Sequence, residues 1–176
     1  HVHGYYCQLA AQRVDIPVPR EVESVPVSVN FQEPVRLPET RRPEIERHPA
    51  YRRAVELKIL GLTQDAAREL AVLTEQYSRD EEVLLAFSTL LNEVGAYYPA
   101  LRLAKIHFRE KLERGGLSSG SPLWTVAYPT GLLPTIQAQG VKQVDPYLAA
   151  AIIREESQYD EKAVSMVGAI GLMQLM

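Results

Sequence analysis

Cysteine is nearly absent from the chain and histidine is sparse, which limits the metal and redox chemistry available. Cys7 stands alone among 176 residues, so neither an intramolecular disulfide nor a cysteine-based metal site is possible. A lone cysteine also leaves the redox compartment undetermined. The four histidines show no metal-ligand spacing; they are His1, His3, His48 and His107. We therefore expect no metal and no other cofactor.

The chain also lacks an excess of basic residues and any long apolar run. Its formal net charge is −3 and its isoelectric point is about 5.9, so it carries no basic footprint for nucleic acid. Uninterrupted apolar runs fall far short of the roughly 20 residues that a membrane-spanning helix needs. We expect no nucleic-acid partner and no transmembrane segment.

Neither end of the chain has the features of a natural terminus. The sequence begins at His1 without an initiator methionine or a signal peptide, and it stops at Met176. We expect both ends to be truncated, so the missing signal peptide excludes no compartment.

Proline separates the first part of the chain from the helical remainder. Six prolines fall between residues 14 and 43 and predict an extended linker. Within it, residues 25–31 alternate like a strand, but Pro26 restricts them to an edge or a connector. Before the linker, alanine and aromatic residues indicate that residues 1–13 end a helix.

Residues 44–116 carry an internal repeat. Residues 57–68 match residues 91–102 at a constant offset of 34, with Gly61 and Gly95 at equivalent positions. This is the period of tetratricopeptide-like helix pairs, whereas a generic four-helix bundle with a chance glycine match is the alternative. Two repeats are too few to stand alone, so we expect them to cap a longer solenoid or to brace the next domain. Helices are predicted at about 49–60, 63–77, 80–94 and 98–114, followed by a connection at 117–139.

A short helix is predicted near the end of the chain, in residues 140–176. Asp145 is a favourable N-cap, and Pro146 fits the first helical position because its missing N–H has no partner there anyway. Three alanines in succession then favour the helix.

One carboxylate of this helix falls on its apolar side. At about 100° per residue, Glu156 lies near the middle of the stripe, whereas Glu155 lies at its edge. We expect Glu156 to be the more desolvated of the two, and desolvation favours the protonated carboxyl group that a general acid needs. The stripe consists of Leu148, Ala149, Ile152 and Ile153.

The residues after Glu156 have the chemistry of a ligand-binding turn. Small glycine residues let a backbone approach a ligand closely, methionine offers an adaptable apolar surface, and glutamine offers a bidentate amide. The residues concerned are Ser157, Tyr159, Gly168, Gly171, Met173 and Gln174.

Order and spacing together resemble the first two motifs of the soluble lytic transglycosylases, over residues 140–176. Two positions depart from the family pattern: Glu155 stands where glutamine is common, and Met166 where proline is common. Neither departure touches the inferred catalytic carboxylate. The matching residues are Glu156-Ser157 with Tyr159, then Ala163-Val-Ser165, Gly168-Ala169 and Gly171-Leu-Met-Gln174.

This resemblance implies a fold class and a location. The protein would be all-α, with a tetratricopeptide-like superhelix segment at residues 44–116 and the first part of a lysozyme-like catalytic domain at residues 140–176. Residues 1–13 would close an N-terminal helical superhelix. The location would be the periplasm or cell envelope of a bacterium, and the partners peptidoglycan glycan strands and, through the helical repeat, other cell-wall proteins.

The resemblance also implies a reaction. Glu156 would protonate the oxygen of the β-1,4 bond between N-acetylmuramic acid and N-acetylglucosamine, and then take the proton of the muramic C6 hydroxyl to give a 1,6-anhydro end. The family's later motifs would lie beyond Met176. Without them we expect the stripe of Leu148, Ile152 and Ile153 either to pack onto the repeat helices or to stay exposed, and Glu156 to be more hydrated, so the 176-residue chain itself should be inactive or nearly so. Substrate-binding roles would fall to Ser157, Tyr159, Met173 and Gln174, and structural roles to Ser165, Gly168 and Gly171.

Two other classes of protein remain open on the sequence. One is a helical-repeat protein-binding module whose terminal segment is not catalytic. The other is a hydrolysing lysozyme, which would need a second carboxylate to hold a water molecule. The nearby acids Glu155, Asp160 and Glu161 are predicted to be solvated charges at a helix end, which disfavours the lysozyme.

Overall fold

The computed structural model describes residues 36–114, 121–139 and 144–176. The helix end predicted at residues 1–13 and the alternating segment at 25–31 lie outside these residues. The described part contains helices and no β-strand, so the predicted all-α fold is confirmed. The helices are α1 Arg42–Arg47, α2 Pro49–Ile59, α3 Thr63–Gln76, α4 Glu81–Glu93, α5 Tyr97–His107, α6 Arg109–Glu113, α7 Pro122–Ala127, α8 Leu133–Gln139 and α9 Pro146–Glu156.

The predicted helix at 98–114 is divided in two. Phe108 ends α5 with φ −120° and ψ 22°, outside the helical region, and its side chain is buried. The short α6 that follows buries no residue. The helix is interrupted at residue 108 because Phe108 is buried in a backbone conformation that a continuous helix does not allow.

The described residues divide between two compact units, residues 36–127 and residues 128–176. In the first unit, α4 is the central helix and packs against α3, α5 and α7. Most of its circumference is apolar, which is the pattern of a helix covered on all sides. Its two buried hydroxyl groups are satisfied locally, because Ser88 donates to the Leu84 carbonyl and Thr89 to the Leu85 carbonyl.

A tight turn ends α2 and starts α3. Gly61 has φ 72°, its N–H donates to the Lys58 carbonyl at 3.0 Å, and the N–H of Leu62 donates to the Leu57 carbonyl at 2.9 Å. These two bonds close the exposed carbonyl end of α2, as in other helices that end on a left-handed glycine.

The turn between α4 and α5 repeats this arrangement 34 residues later. Gly95 has φ 82° and its N–H donates to the Asn92 carbonyl at 3.1 Å, while the N–H of Ala96 donates to the Leu91 carbonyl at 2.9 Å. The sequence correspondence on which the repeat was predicted thus extends to the backbone hydrogen bonds of both turns.

Replacing either turn glycine by alanine is expected to lower the free energy of unfolding by about 1–2 kcal/mol. A Cβ atom at Gly61 or Gly95 meets nothing within 4 Å, so the loss comes from the left-handed backbone and not from a clash. Gly95→Asn should lose less than Gly95→Ala, because asparagine tolerates this conformation better. Urea denaturation of the three variants checks the order, and equal losses for alanine and asparagine would contradict it.

Tyr77 links the core of the first unit to the α1 segment. Its buried ring packs edge-on against the Phe87 ring, with the two ring centroids 6.2 Å apart. Its hydroxyl donates a hydrogen bond to Glu44 Oε1 at 2.8 Å. Burial first, and then the hydrogen bond to Glu44, raise the pKa of Tyr77 to about 12.

This raised pKa makes stability fall at high pH. The folded state holds the Tyr77 proton more tightly than the unfolded state, so the stabilisation is complete below pH 10.0 and is lost as the pH rises toward about 12. We expect Tyr77→Phe to be less stable than the wild type below pH 10.0, and the difference to shrink steadily up to pH 12. Urea denaturation across this pH range measures the difference in stability between the two proteins. A difference that does not change with pH would contradict the raised pKa of Tyr77.

Within the part of the chain that the structure describes, no helix combines the length and apolar character needed to cross a bilayer.

Candidate active site

The second unit is built around α9, whose start is fixed by its cap. Asp145 Oδ1 accepts hydrogen bonds from the backbone N–H groups of Tyr147, at 2.7 Å, and Leu148, at 3.4 Å. Pro146 occupies the first turn, where no N–H is required. The predicted N-cap and helix start are confirmed, and α9 places Glu156 at its last position.

The buried side of α9 differs from the predicted stripe. Ala149 and Ile153 are buried as expected, but Leu148 is 43% exposed and Ile152 is 36% exposed, while Ala150 is buried instead. The stripe predicted from the sequence is therefore divided: Ala149 and Ile153 are buried within this unit, whereas Leu148 and Ile152 stay exposed, as expected for an uncovered stripe.

The cause is the position of α8, which packs against α9. Ala150 and Leu133 form the centre of a small cluster, with Tyr128 and Tyr147 packed against it. Because the alanine at residue 150 is small, these larger side chains can pack directly against α9 at that position. The buried side of the helix is therefore the side of Ala150, and Leu148 and Ile152 lie outside it.

Glu156 is exposed, as expected where the apolar stripe is uncovered, so the desolvation that a general acid needs is not present within the described residues. It shares a helix face with the exposed Leu148 and Ile152, since the three residues are spaced four apart. In the described part of the chain the Glu156 side chain makes no hydrogen bond or ion pair, and only its backbone is bonded within the helix.

Glu155 is also exposed but is engaged by a neighbour. Its Oε1 accepts a hydrogen bond from Arg154, whose side chain is largely covered and whose guanidinium lies 4.7 Å from the centroid of the Tyr128 ring. The two adjacent carboxylates thus differ, because Arg154 holds Glu155. This contact was not predicted from the sequence, in which an arginine one residue before a Glu-Glu pair is its only signal.

The chain reverses direction directly after α9. Gln158 and Tyr159 follow each other in the left-handed region, with φ 53° and 68°. The buried Ser157 donates from Oγ to the Ile153 carbonyl at 3.0 Å, and the buried Tyr159 donates from its hydroxyl to the Ala150 carbonyl at 3.3 Å. Both hydroxyl groups, predicted to bind substrate, make these bonds within the unit.

Residues 163–176 form two tight turns. The first is closed around Ser165, whose backbone N–H donates to the Ala169 carbonyl at 2.8 Å and whose Oγ accepts from the N–H of Ala169 at 2.9 Å. Gly168 lies in this turn with φ 90°, and Gly171 begins the second turn with φ 74°. The predicted structural residues Ser165, Gly168 and Gly171 therefore all occupy turn positions.

Two isolated antiparallel bridges connect these turns, Val164 with Ile170 and Ile170 with Leu175. Residues paired directly across antiparallel chains project to the same side, so these three form one apolar row, and all three side chains are exposed. The three methionines of the chain, Met166, Met173 and Met176, are exposed in the same segment.

Within the described ranges, no group of three or more His, Cys, Asp or Glu side chains is arranged to hold a metal ion. Cys7, His1 and His3 lie outside those ranges, so the expected absence of a cofactor stays a prediction.

Comparison with known families places this segment in a class. Residues 134–176 match the family model of the transglycosylase SLT domain. The match runs from α8 through both turns to Met176, and it supports the lytic transglycosylase resemblance and peptidoglycan as the class of substrate. No curated protein matches the chain, and no solved structure matches it either.

Proposed function

We propose that the protein is a peptidoglycan lytic transglycosylase in which Glu156 is the catalytic acid and base. The observation that carries the proposal is the family match over residues 134–176, which contains one carboxylate at the end of α9 that no neighbour engages. Glu155 is the less suitable of the two acids, because Arg154 already binds it.

The reaction needs one carboxyl group acting twice. Protonated Glu156 gives its proton to the oxygen of the β-1,4 bond between N-acetylmuramic acid and N-acetylglucosamine, and this bond breaks. The carboxylate then takes the proton of the muramic C6 hydroxyl as that oxygen bonds to C1. The product is a 1,6-anhydro end, no water is consumed, and Glu156 recovers its starting protonation state.

The exposure of Glu156 is expected to lower the rate of bond cleavage by the chain alone. Exclusion of water around a carboxyl group raises its pKa and so lets it keep its proton closer to neutral pH. We propose that a glycan strand, or protein covering Leu148 and Ile152, supplies this exclusion. We therefore expect the 176-residue chain by itself to release little or no product.

The side chains proposed to contact substrate fall into two groups. Met173 is 38% exposed and offers a soft apolar contact, and Gln174 keeps its side-chain oxygen available. Ser157 and Tyr159 are buried, so we propose that they serve the substrate site by fixing the end of α9 next to Glu156.

A second candidate function belongs to the first unit. The matched hydrogen bonds of the turns at Gly61 and Gly95 favour a tetratricopeptide-like helical repeat, and such repeats bind other proteins. The protein would then bind a cell-wall protein through residues 44–116 without cleaving glycan. In either case we place it in the periplasm or cell envelope.

Purified peptidoglycan sacculi distinguish these functions. The protein is incubated with sacculi, and the released fragments are analysed by mass spectrometry. A transglycosylase releases muropeptides with anhydro ends, which are lighter by one water than hydrolysis products and cannot be reduced by borohydride. Reducible ends would indicate a hydrolysing lysozyme, and sacculus binding without release from any form of the protein would favour the binding module.

A further inference from the structure

The side chain of Gln174 is turned inward onto the backbone of its own segment. Its Nε2 lies 3.2 Å from the Ala163 carbonyl oxygen and 2.8 Å from the Gly171 carbonyl oxygen. Both partners accept hydrogen bonds only, so the nitrogen must face them and Oε1 must face away. The amide nitrogen carries two hydrogens, and both are used.

The backbone bonds of the second turn converge on the same two carbonyl groups. The N–H of Gly171 donates to the Ala163 oxygen at 2.9 Å, and the N–H of Gln174 donates to the Gly171 oxygen at 3.2 Å. Each carbonyl oxygen therefore accepts one backbone and one side-chain hydrogen bond, which fills both of its lone pairs.

The backbone of Gln174 is itself in an unfavourable conformation. Its φ of 49° is left-handed, and outside glycine such a conformation costs on the order of 1 kcal/mol and persists only where the surroundings hold it. The two bonds from Nε2 supply that restraint, since they connect Gln174 to Gly171 at the start of the turn and to Ala163, which precedes the turn in the chain.

We propose that Gln174 is a positioning residue whose side-chain nitrogen ties the turn of residues 171–174 to Ala163 and thereby fixes Met173 at the surface. The amide nitrogen is then not a substrate ligand, in contrast to the bidentate amide expected from the sequence. The link to substrate rests on the proposed function, whereas the tie between Gln174 and Ala163 does not.

Three variants test the tie. Gln174→Met keeps the length of the side chain and removes both donors, and Gln174→Glu replaces the donors by an acceptor that faces two carbonyl oxygens. Gln64→Met on the exposed surface of α3 makes the same chemical change away from the turn. We expect amide hydrogen exchange at Gly171 to accelerate by about tenfold in Gln174→Met and more in Gln174→Glu, and to be unchanged in Gln64→Met.

Binding to sacculi tests whether the tie acts through Met173. Met173→Ala and Gln174→Met should each weaken binding severalfold, and the double variant should be no weaker than the worse single one. Fully additive losses would overturn the role through Met173. Unchanged exchange at Gly171 in Gln174→Met would overturn the tie itself. If the wild type does not bind sacculi, the proposed function fails while the exchange measurement still decides the tie.

Discussion

Replacing Glu156 by glutamine is expected to lower the rate of anhydro-muropeptide release by about 10² to 10⁴, the usual contribution of general acid–base catalysis. The amide has nearly the shape of the carboxyl group, but it neither donates a proton to the leaving oxygen nor removes one from the C6 hydroxyl. Sacculus binding should change little, because glutamine keeps the size and polarity of the side chain. The rate of anhydro-muropeptide release and the sacculus binding are both measured on a form of the protein that releases product.

Glu155→Gln is the matched control, since the same change is made one residue earlier on the same helix. Both carboxylates are exposed, but Glu155 is bound by Arg154 and projects about 100° away from Glu156. We expect it to keep most of the activity. Equal losses from the two substitutions would mean that neither carboxylate has the specific role proposed for Glu156.

Truncation of Tyr159 to alanine is expected to destabilise the second unit by about 3–5 kcal/mol, the range for removing a large buried aromatic side chain. Tyr159 is buried and its hydroxyl reaches the Ala150 carbonyl across the end of α9. The small cluster around Leu133 and Ala150 has little apolar area with which to compensate. Amide hydrogen exchange along α9 measures the loss.

Tyr159→Phe separates packing from hydrogen bonding at the same position. It retains the ring and removes only the hydroxyl, so we expect a loss of about 1 kcal/mol. If phenylalanine were as damaging as alanine, the hydroxyl bond to Ala150 and not the buried ring would hold the end of α9.

Local signals in the sequence were sufficient for the helix ends. Asp145 and Pro146 specify the start of α9, and the glycines at 61 and 95 specify where α2 and α4 stop. Each of these features depends on residues within one turn of the position concerned. The all-α fold follows from many such signals, which is why it could be predicted from the sequence.

The buried side of α9 could not be predicted in the same way. Hydrophobic periodicity ranks leucine and isoleucine above alanine, and so it assigns Leu148 and Ile152, and not Ala150, to the apolar side of the helix. The structure buries Ala150 because α8 packs at that point. The choice depends on which helix lies opposite, and residue order within α9 carries no information about that. The inward orientation of Gln174 likewise depends on carbonyl groups that only the folded turn brings together.

The location of the methionines makes one segment of this protein chemically distinct. All three thioethers lie within residues 166–176 and all are exposed. Mild peroxide would convert them to sulfoxides, making polar a surface that is otherwise apolar, and a sulfoxide reductase would reverse the change. Elsewhere in the sequence only the thiol of Cys7 offers a comparable sulfur. Methionine oxidation in this protein would therefore be confined to the turns that follow Glu156, because the helices of the first unit contain no methionine.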